Sequence, residues 1–144
     1  MKKVMAYGAI PIFKDKNRYK ILIIKNSKGK HWGLPKGTHE EGETPLETAT
    51  RELYEETGIE NYAINKEPSF SESHTYVIDG VEYDKTNTYY TCFVDKMFIG
   101  NNLDQIDEAK WVSFEEAEKI ITHKSCLGII EKLRLFLINN PRGA

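Results

Sequence analysis

Apolar residues recur in the short rhythm of extended chain over residues 4–13 and again from Tyr19 to Asn26, separated by a polar run from Lys14 to Arg18. This pattern predicts two strands joined by a turn. Asn26 to Lys30 reads as loop, and Trp32 to Leu34 as a short extended piece halted by Pro35. The rhythm then changes. Thr44 stands where a helix cap belongs, Pro45 and Glu47 fit its first turn, and Leu46, Ala49, Thr50 and Leu53 fall on an inner face. Gly58 is placed to end that helix. Further strands are expected near 67–78 and 86–96, with Asp79-Gly80 as the turn between them, and from Ala109 to Ser113. Helices near 114–122 and 125–139 close the chain, the second with Leu127, Ile130, Leu133 and Leu137 on one side. Strands and helices without regular alternation imply an α+β fold, a mixed sheet covered by helices rather than a doubly wound parallel sheet.

Composition adds little until charge is mapped. The 144 residues suit one domain spanning 1–144, and 40% hydrophobic with 29% charged residues is ordinary for a globular chain. A net charge of −2 leaves nucleic-acid partners open, but residues 1–36 carry ten Lys/Arg and one acid, while 40–60 carry eight Glu and one Arg. That contrast is either two solvated surfaces or a site that attracts a polyphosphate and binds a divalent cation. Cys92 and Cys126 lack metal-ligand spacing and read as free, buried thiols of a reducing, cytoplasmic protein. The apolar N-terminal stretch is broken by Tyr7, Gly8 and Pro11, so it reads as a strand rather than a signal peptide. No apolar run approaches the ~20 residues that span a bilayer, and no DNA-binding module is evident.

The chemistry concentrates in residues 37–59. Glu52, Glu55 and Glu56 stand at i, i+3 and i+4, which puts three carboxylates on one side of the predicted helix. Like charges so spaced oppose helix formation, and Arg51 cannot neutralise all three. A solvated acidic face would be the ordinary explanation. It would not account for Gly37 and Gly42 before the helix, Glu43 at its junction, or Gly58 after it. Clustered carboxylates do suit Mg²⁺, a hard cation that prefers oxygen donors.

Gly37, Glu43, Arg51, Glu52, Leu53, Glu55, Glu56, Gly58 and Ile59 together match the signature of the Nudix hydrolases in every spacing, nine positions over 23 residues. The chain therefore resembles that family. The resemblance implies a Nudix-like α/β/α sandwich with the catalytic loop and helix on one side of the sheet. It implies Mg²⁺, with Mn²⁺ as a substitute, held by Glu52, Glu55, Glu56 and the Gly37 carbonyl. Glu52 would also orient or deprotonate the attacking water, Arg51 would hold the carboxylates, and Glu43 would steady the loop–helix junction. The implied reaction is attack of water on phosphorus in a nucleotide polyphosphate.

Flanking residues bear on the substrate. Lys36, directly before the signature, resembles the dinucleoside-polyphosphate hydrolases that cleave diadenosine tetraphosphate asymmetrically, and Tyr76, Lys85 and Tyr89 resemble their substrate strands. Lysines neutralise a long polyanion and flat rings stack on a base. His31 is a further binding candidate, although it and Trp32 equally suit surface and packing roles. Tyr89 and Tyr90 alternate on a strand, so one is expected to face the core. Where members of that subgroup often place an acid, six residues before Trp111, this chain has Gln105. Asp104, Asp107 or Glu108 would then take over, or Glu52 acts alone. Hydrolysis of damaged nucleoside triphosphates, 5′-end RNA pyrophosphohydrolysis and an inactive nucleotide sensor are the competing readings, and the intact glutamate set argues against the last. Oligomeric state is not legible.

Overall fold

Gly8 lies within the first strand at the point where another backbone crosses it. In a computed structural model, which describes residues 1–141, β1 (Lys2–Asp15) pairs along one edge with β6 (Val81–Val94) in parallel, from Lys2↔Tyr83 to Phe13↔Val94. Its other edge is shared. Ile12 to Asp15 pair antiparallel with β2 (Arg18–Asn26), whereas Ala6 to Gly8 pair with a short strand β4 (Lys36–Thr38). The gap between β1 and β2 is filled by β3 (Trp32–Gly33), β4 and the Pro35 carbonyl, which accepts from Ala9 N–H at 3.3 Å. A Cβ on Gly8 would stand 2.1 Å from that Pro35 oxygen, so only glycine admits the loop here.

β5 (Ala63–Ile78) forms a long antiparallel hairpin with β6, and β7 (Ile106–Val112) covers the outer edge of β2. Asp79 and Gly80, at φ 50° and 77°, make the two-residue turn that the Asp-Gly pair predicts. The result is the expected mixed sheet, seven strands with one parallel pair. Helix α1 (Pro45–Thr57) covers one face, packing with Ala9, Leu22, Leu53, Ile59 and Cys92. On the other, α2 (Phe114–Ile120) and α3 (Lys124–Asn139) pack Ile130, Leu133 and Leu137 against Ile10, Ile12, Ile21 and Ile23. Among the described residues, no helix is long and apolar enough to cross a membrane.

Several details depart from the sequence reading. β4 was not expected, because Pro35-Lys36-Gly37-Thr38 has little strand propensity; main-chain pairing to β1 makes it. β5 begins at Ala63 rather than 67, passing Pro68 through an irregularity in its pairing. On α1 the buried positions are Thr48, Ala49, Leu53 and Thr57, and Thr50 is only partly covered. Cys92 is buried, but Cys126 is only partly so. Tyr89 and Tyr90 are both buried, at 3% and 9% exposure, because each face of the sheet has its own cover.

Candidate active site

Helix α1 is well ended for its task. Thr44 and Glu47 form a reciprocal capping box, and Gly58 adopts the left-handed conformation at φ 76° with its N–H on the Tyr54 carbonyl. Between these ends, Arg51 ties the helix to the preceding loop. Its Nε donates to Glu43 Oε2 at 2.6 Å, one terminal nitrogen to Glu52 Oε2 at 2.8 Å and Glu55 Oε1 at 3.3 Å, and the other to Glu43 Oε1 at 3.1 Å and the Thr38 carbonyl at 3.3 Å. Thr48 Oγ1 adds a 2.7 Å bond to Glu43. Charge-assisted bonds of this kind fix geometry as well as energy. Glu43 is thereby held at about 2, chiefly by Arg51 and then Thr48, and the guanidinium is raised further in return.

Glu56 lies outside this network. Its one bonded partner is the Lys36 main-chain N–H, which donates to Oε1 at 2.9 Å. Burial pushes its carboxyl up to about 8 against that bond, with Glu52 adding to the rise. Burial also raises Glu52 in spite of Arg51. Gly37 sits directly against Glu52: a Cβ there would lie 1.9 Å from Cδ and 2.1 Å from Oε2. The arrangement is a cradle of hard oxygen donors in which two carboxyls are short of positive charge, and that chemistry fits a hard divalent cation. In the arrangement described, with Arg51 holding Glu52 and Glu55, no three His, Cys, Asp or Glu side chains among the described residues converge at metal-holding distance.

A stability consequence follows from Glu56. A carboxyl whose folded value lies above 4.5 binds its proton more tightly in the native state. Its contribution is therefore complete below 4.5 and is lost as pH rises toward about 8. Glu43, lowered to about 2, acts only at more acid pH. In chelator, the Tm of wild type relative to Glu56→Gln is expected to fall between about pH 5 and 8, and Mg²⁺ to recover more of it at the upper end. A difference that is flat or rises with pH would contradict this placement of Glu56.

Beside the helix opens a pocket of 590 Å³ lined by His31, Lys36, Lys85 and Tyr89, four of the five substrate candidates. Tyr76, the fifth, does not line it but stacks on Tyr83 with ring centroids 5.1 Å apart. Lys85 is half-buried, and burial followed by Lys36 lowers its pKa. Burial raises Tyr89 well above its ordinary value. Glu72, His74, Asn87, His123 and Cys126 also line the pocket, and the sequence nominates none of them for binding. His123 meets His31 edge-on at 4.6 Å, although 92 positions separate them. No local signal could have joined them. A larger cavity of 780 Å³ lies beside Lys14–Lys20 and α3 and, unlike the first, contains neither Lys36 nor any other substrate candidate, although no residue of the 37–59 segment lines either.

The downstream acids divide. Asp107 is bound by Lys30 and by Ser27 at 2.8 Å. Gln105 takes φ 57° and its carbonyl accepts from Ser27 N–H. Glu108 lies opposite Lys25 on β7. Asp104 comes nearest the glutamates in the chain path, its N–H donating to the Glu55 carbonyl at 3.0 Å.

Comparison with known proteins gives a consistent result. The family model described as NUDIX domain matches residues 2–128. The asymmetrical bis(5′-nucleosyl)-tetraphosphatase of Mus musculus is 32% identical over 129 residues, covering 88% of this chain and 86% of that protein. The RNA pyrophosphohydrolase of Bartonella clarridgeiae is 30% identical over 107 residues, covering 64% and 62%. Among solved structures, a binary complex of a C. elegans Ap4A hydrolase superposes with a TM-score of 0.79 at 25% identity, covering 94% of this chain and 98% of that one.

Proposed function

We propose a substrate and a set of roles on the premise that the chain belongs to the NUDIX family and is a pyrophosphohydrolase: it cleaves a phosphoanhydride bond in a dinucleoside polyphosphate such as diadenosine tetraphosphate. The observation that carries this reading is continuity. The Lys36 main chain bonds Glu56, and Lys36 also lines the pocket that holds Lys85 and Tyr89. The acidic helix and the cationic, ring-lined pocket thus meet at Lys36. The tetraphosphatase and Ap4A hydrolase relatives, matched over most of their length, support the same substrate class.

In this reading Glu52, Glu55, Glu56 and the Gly37 carbonyl hold Mg²⁺, or Mn²⁺ in its place. Such an ion, when bound, neutralises phosphate oxygens and acidifies water. Glu52, its basicity raised by burial, orients and accepts a proton from the attacking water. Arg51 acts as a positioning residue, keeping Glu43 and the loop against the helix. Lys36 and Lys85 take the polyphosphate. Tyr89 and His31 border the nucleoside end, and Tyr76 lies outside that border. Glu43 and Gly58 serve the scaffold.

A substrate panel with Mg²⁺, run in ¹⁸O-labelled water, tests the proposal by showing which phosphorus is attacked. If a mononucleoside triphosphate or 5′-triphosphorylated RNA outpaces diadenosine tetraphosphate by about an order of magnitude, the substrate assignment is wrong. Lys36→Met is expected to raise KM for longer polyphosphates more than for pyrophosphate-linked sugars, because the longer chain presents more charge to the missing ammonium. Equal effects on both would remove Lys36 from recognition.

A further inference from the structure

One face of the β5–β6 hairpin carries four successive cross-strand pairs: Phe70 with Tyr89, Glu72 with Asn87, His74 with Lys85, and Tyr76 with Tyr83. The first pair is buried and the last lies near the hairpin tip. The Glu72–Asn87 pair does not fit a simple gradation from core to solvent. Asn87 is 3% exposed, and its amide nitrogen donates to Glu72 Oε1. Only the nitrogen can donate to a carboxylate, so the amide orientation is settled by that bond. Asn87 Oδ1 and Glu72 Oε2 remain, both buried and both without a hydrogen-bond partner among the described residues. His74 Nδ1 is 3.5 Å from Glu72 Oε2, a charge contact rather than a bond that satisfies it. Lys85 stands one pair farther along, where Glu72 acts on its charge.

Two unmet buried acceptors are costly unless a ligand brings donors. Both residues line the pocket that contains Lys36, Tyr89 and Trp32. A polyphosphate cannot supply them, because near neutral pH its oxygens are acceptors. Of a nucleotide in this pocket, only the nucleoside part can supply donors in place of water. An exocyclic amino group carries two diverging N–H bonds on one nitrogen, suited to separate acceptors, and a planar base suits a pocket bordered by flat rings.

We propose that Glu72 and Asn87 are specificity-determining residues that receive the exocyclic amino group of the bound nucleobase, N6 of an adenine. This rests on the reading that the pocket takes a nucleotide. It makes the protein favour adenine over hypoxanthine, whose carbonyl oxygen would face two further acceptors.

Titration calorimetry of the full chain with ADP and with inosine diphosphate, in chelator so that nothing turns over, tests it. ADP is expected to bind roughly tenfold tighter or more, the modest end of what a hydrogen-bonding site achieves. Asn87→Ala and Glu72→Ala are each expected to bring the ratio of the two Kd values to about two or less. A ratio of affinities is insensitive to the fraction of folded protein, so a merely structural role would not move it. Equal Kd values in wild type, or a ratio unchanged in both variants, overturn the proposal. So does a loss of affinity for 2′-deoxy-ADP that disappears in both variants, which would assign the acceptors to ribose. Binding of neither nucleotide sinks it together with the nucleotide reading. A clear ADP preference with no cleavage of diadenosine tetraphosphate upholds the base-reading pair and overturns only the proposed reaction.

Discussion

Glu56→Gln is expected to lower turnover by at least ~10²-fold with the fold intact, the scale for losing a catalytic electrostatic or acid–base group. The two halves of that expectation have separate causes. The fold survives because glutamine keeps an oxygen that accepts the 2.9 Å bond from Lys36 N–H, and its size is the same. Activity falls because an amide carries no charge. In the metal-free protein the wild-type carboxyl is pushed up to about 8 by burial, so it is neutral in the folded state at neutral pH, as the amide is at every pH. Its value lies in what it does when a cation draws the proton off. The variant should accordingly show weaker Mg²⁺ dependence as well as slower turnover. A variant with near wild-type kcat, measured at saturating Mg²⁺, would remove Glu56 from the reaction.

Gly37→Ala is expected to separate activity from stability even more sharply. The added methyl would overlap the Glu52 carboxylate, 1.9 Å from Cδ and 2.4 Å from Oε1, and its three nearest neighbours all belong to that side chain. The end of a glutamate side chain can swing aside at little cost. The unfolding free energy is therefore expected to change little, on the order of 1 kcal/mol or less, the range for most substitutions without a buried clash. Turnover should fall ~10²-fold or more, because Glu52 loses both its place beside Gly37 and its bond to Arg51. Gly8→Ala provides the contrast. Its methyl meets the Pro35 carbonyl oxygen at 2.1 Å, and that backbone cannot yield without opening the gap between β1 and β2. Measured side by side, Gly37→Ala should inactivate a stable protein and Gly8→Ala should unfold an active one. A Gly37→Ala protein with ordinary activity would show that Glu52 does not need its present position.

Much of the acidic helix was legible because its determinants are local. Thr44, Pro45, Glu47 and Gly58 specify the two ends within 15 residues, and the 3.6-residue period alone puts Glu52, Glu55 and Glu56 on one side. The Asp79-Gly80 turn was legible for the same reason. The pocket was less so. Lys36 and Lys85 could be nominated as cations for a polyanion, but Glu72, Asn87 and His123 carry no local mark of a site. Tyr76 shows the converse. It shares a sheet face with Glu72 and His74, yet stacking on Tyr83 occupies its ring.

The division runs along the range of the forces involved. Capping, helical period and turn chemistry act over a few residues, so the linear order of amino acids determined α1, the hairpin turn and the carboxylate cluster. Main-chain pairing between distant segments and removal from water act only once the chain has closed on itself. Tertiary structure alone therefore decided that Lys36 to Thr38 would become a strand wedged beside β1. It decided that Arg51, within reach of Glu55 by helical spacing alone, would also clasp Glu43 while leaving Glu56 to burial, and that two acceptors on β5 and β6 would be shut in without donors among the described residues. A carboxylate's place along the chain follows from sequence; its proton affinity follows from how much water the fold takes away.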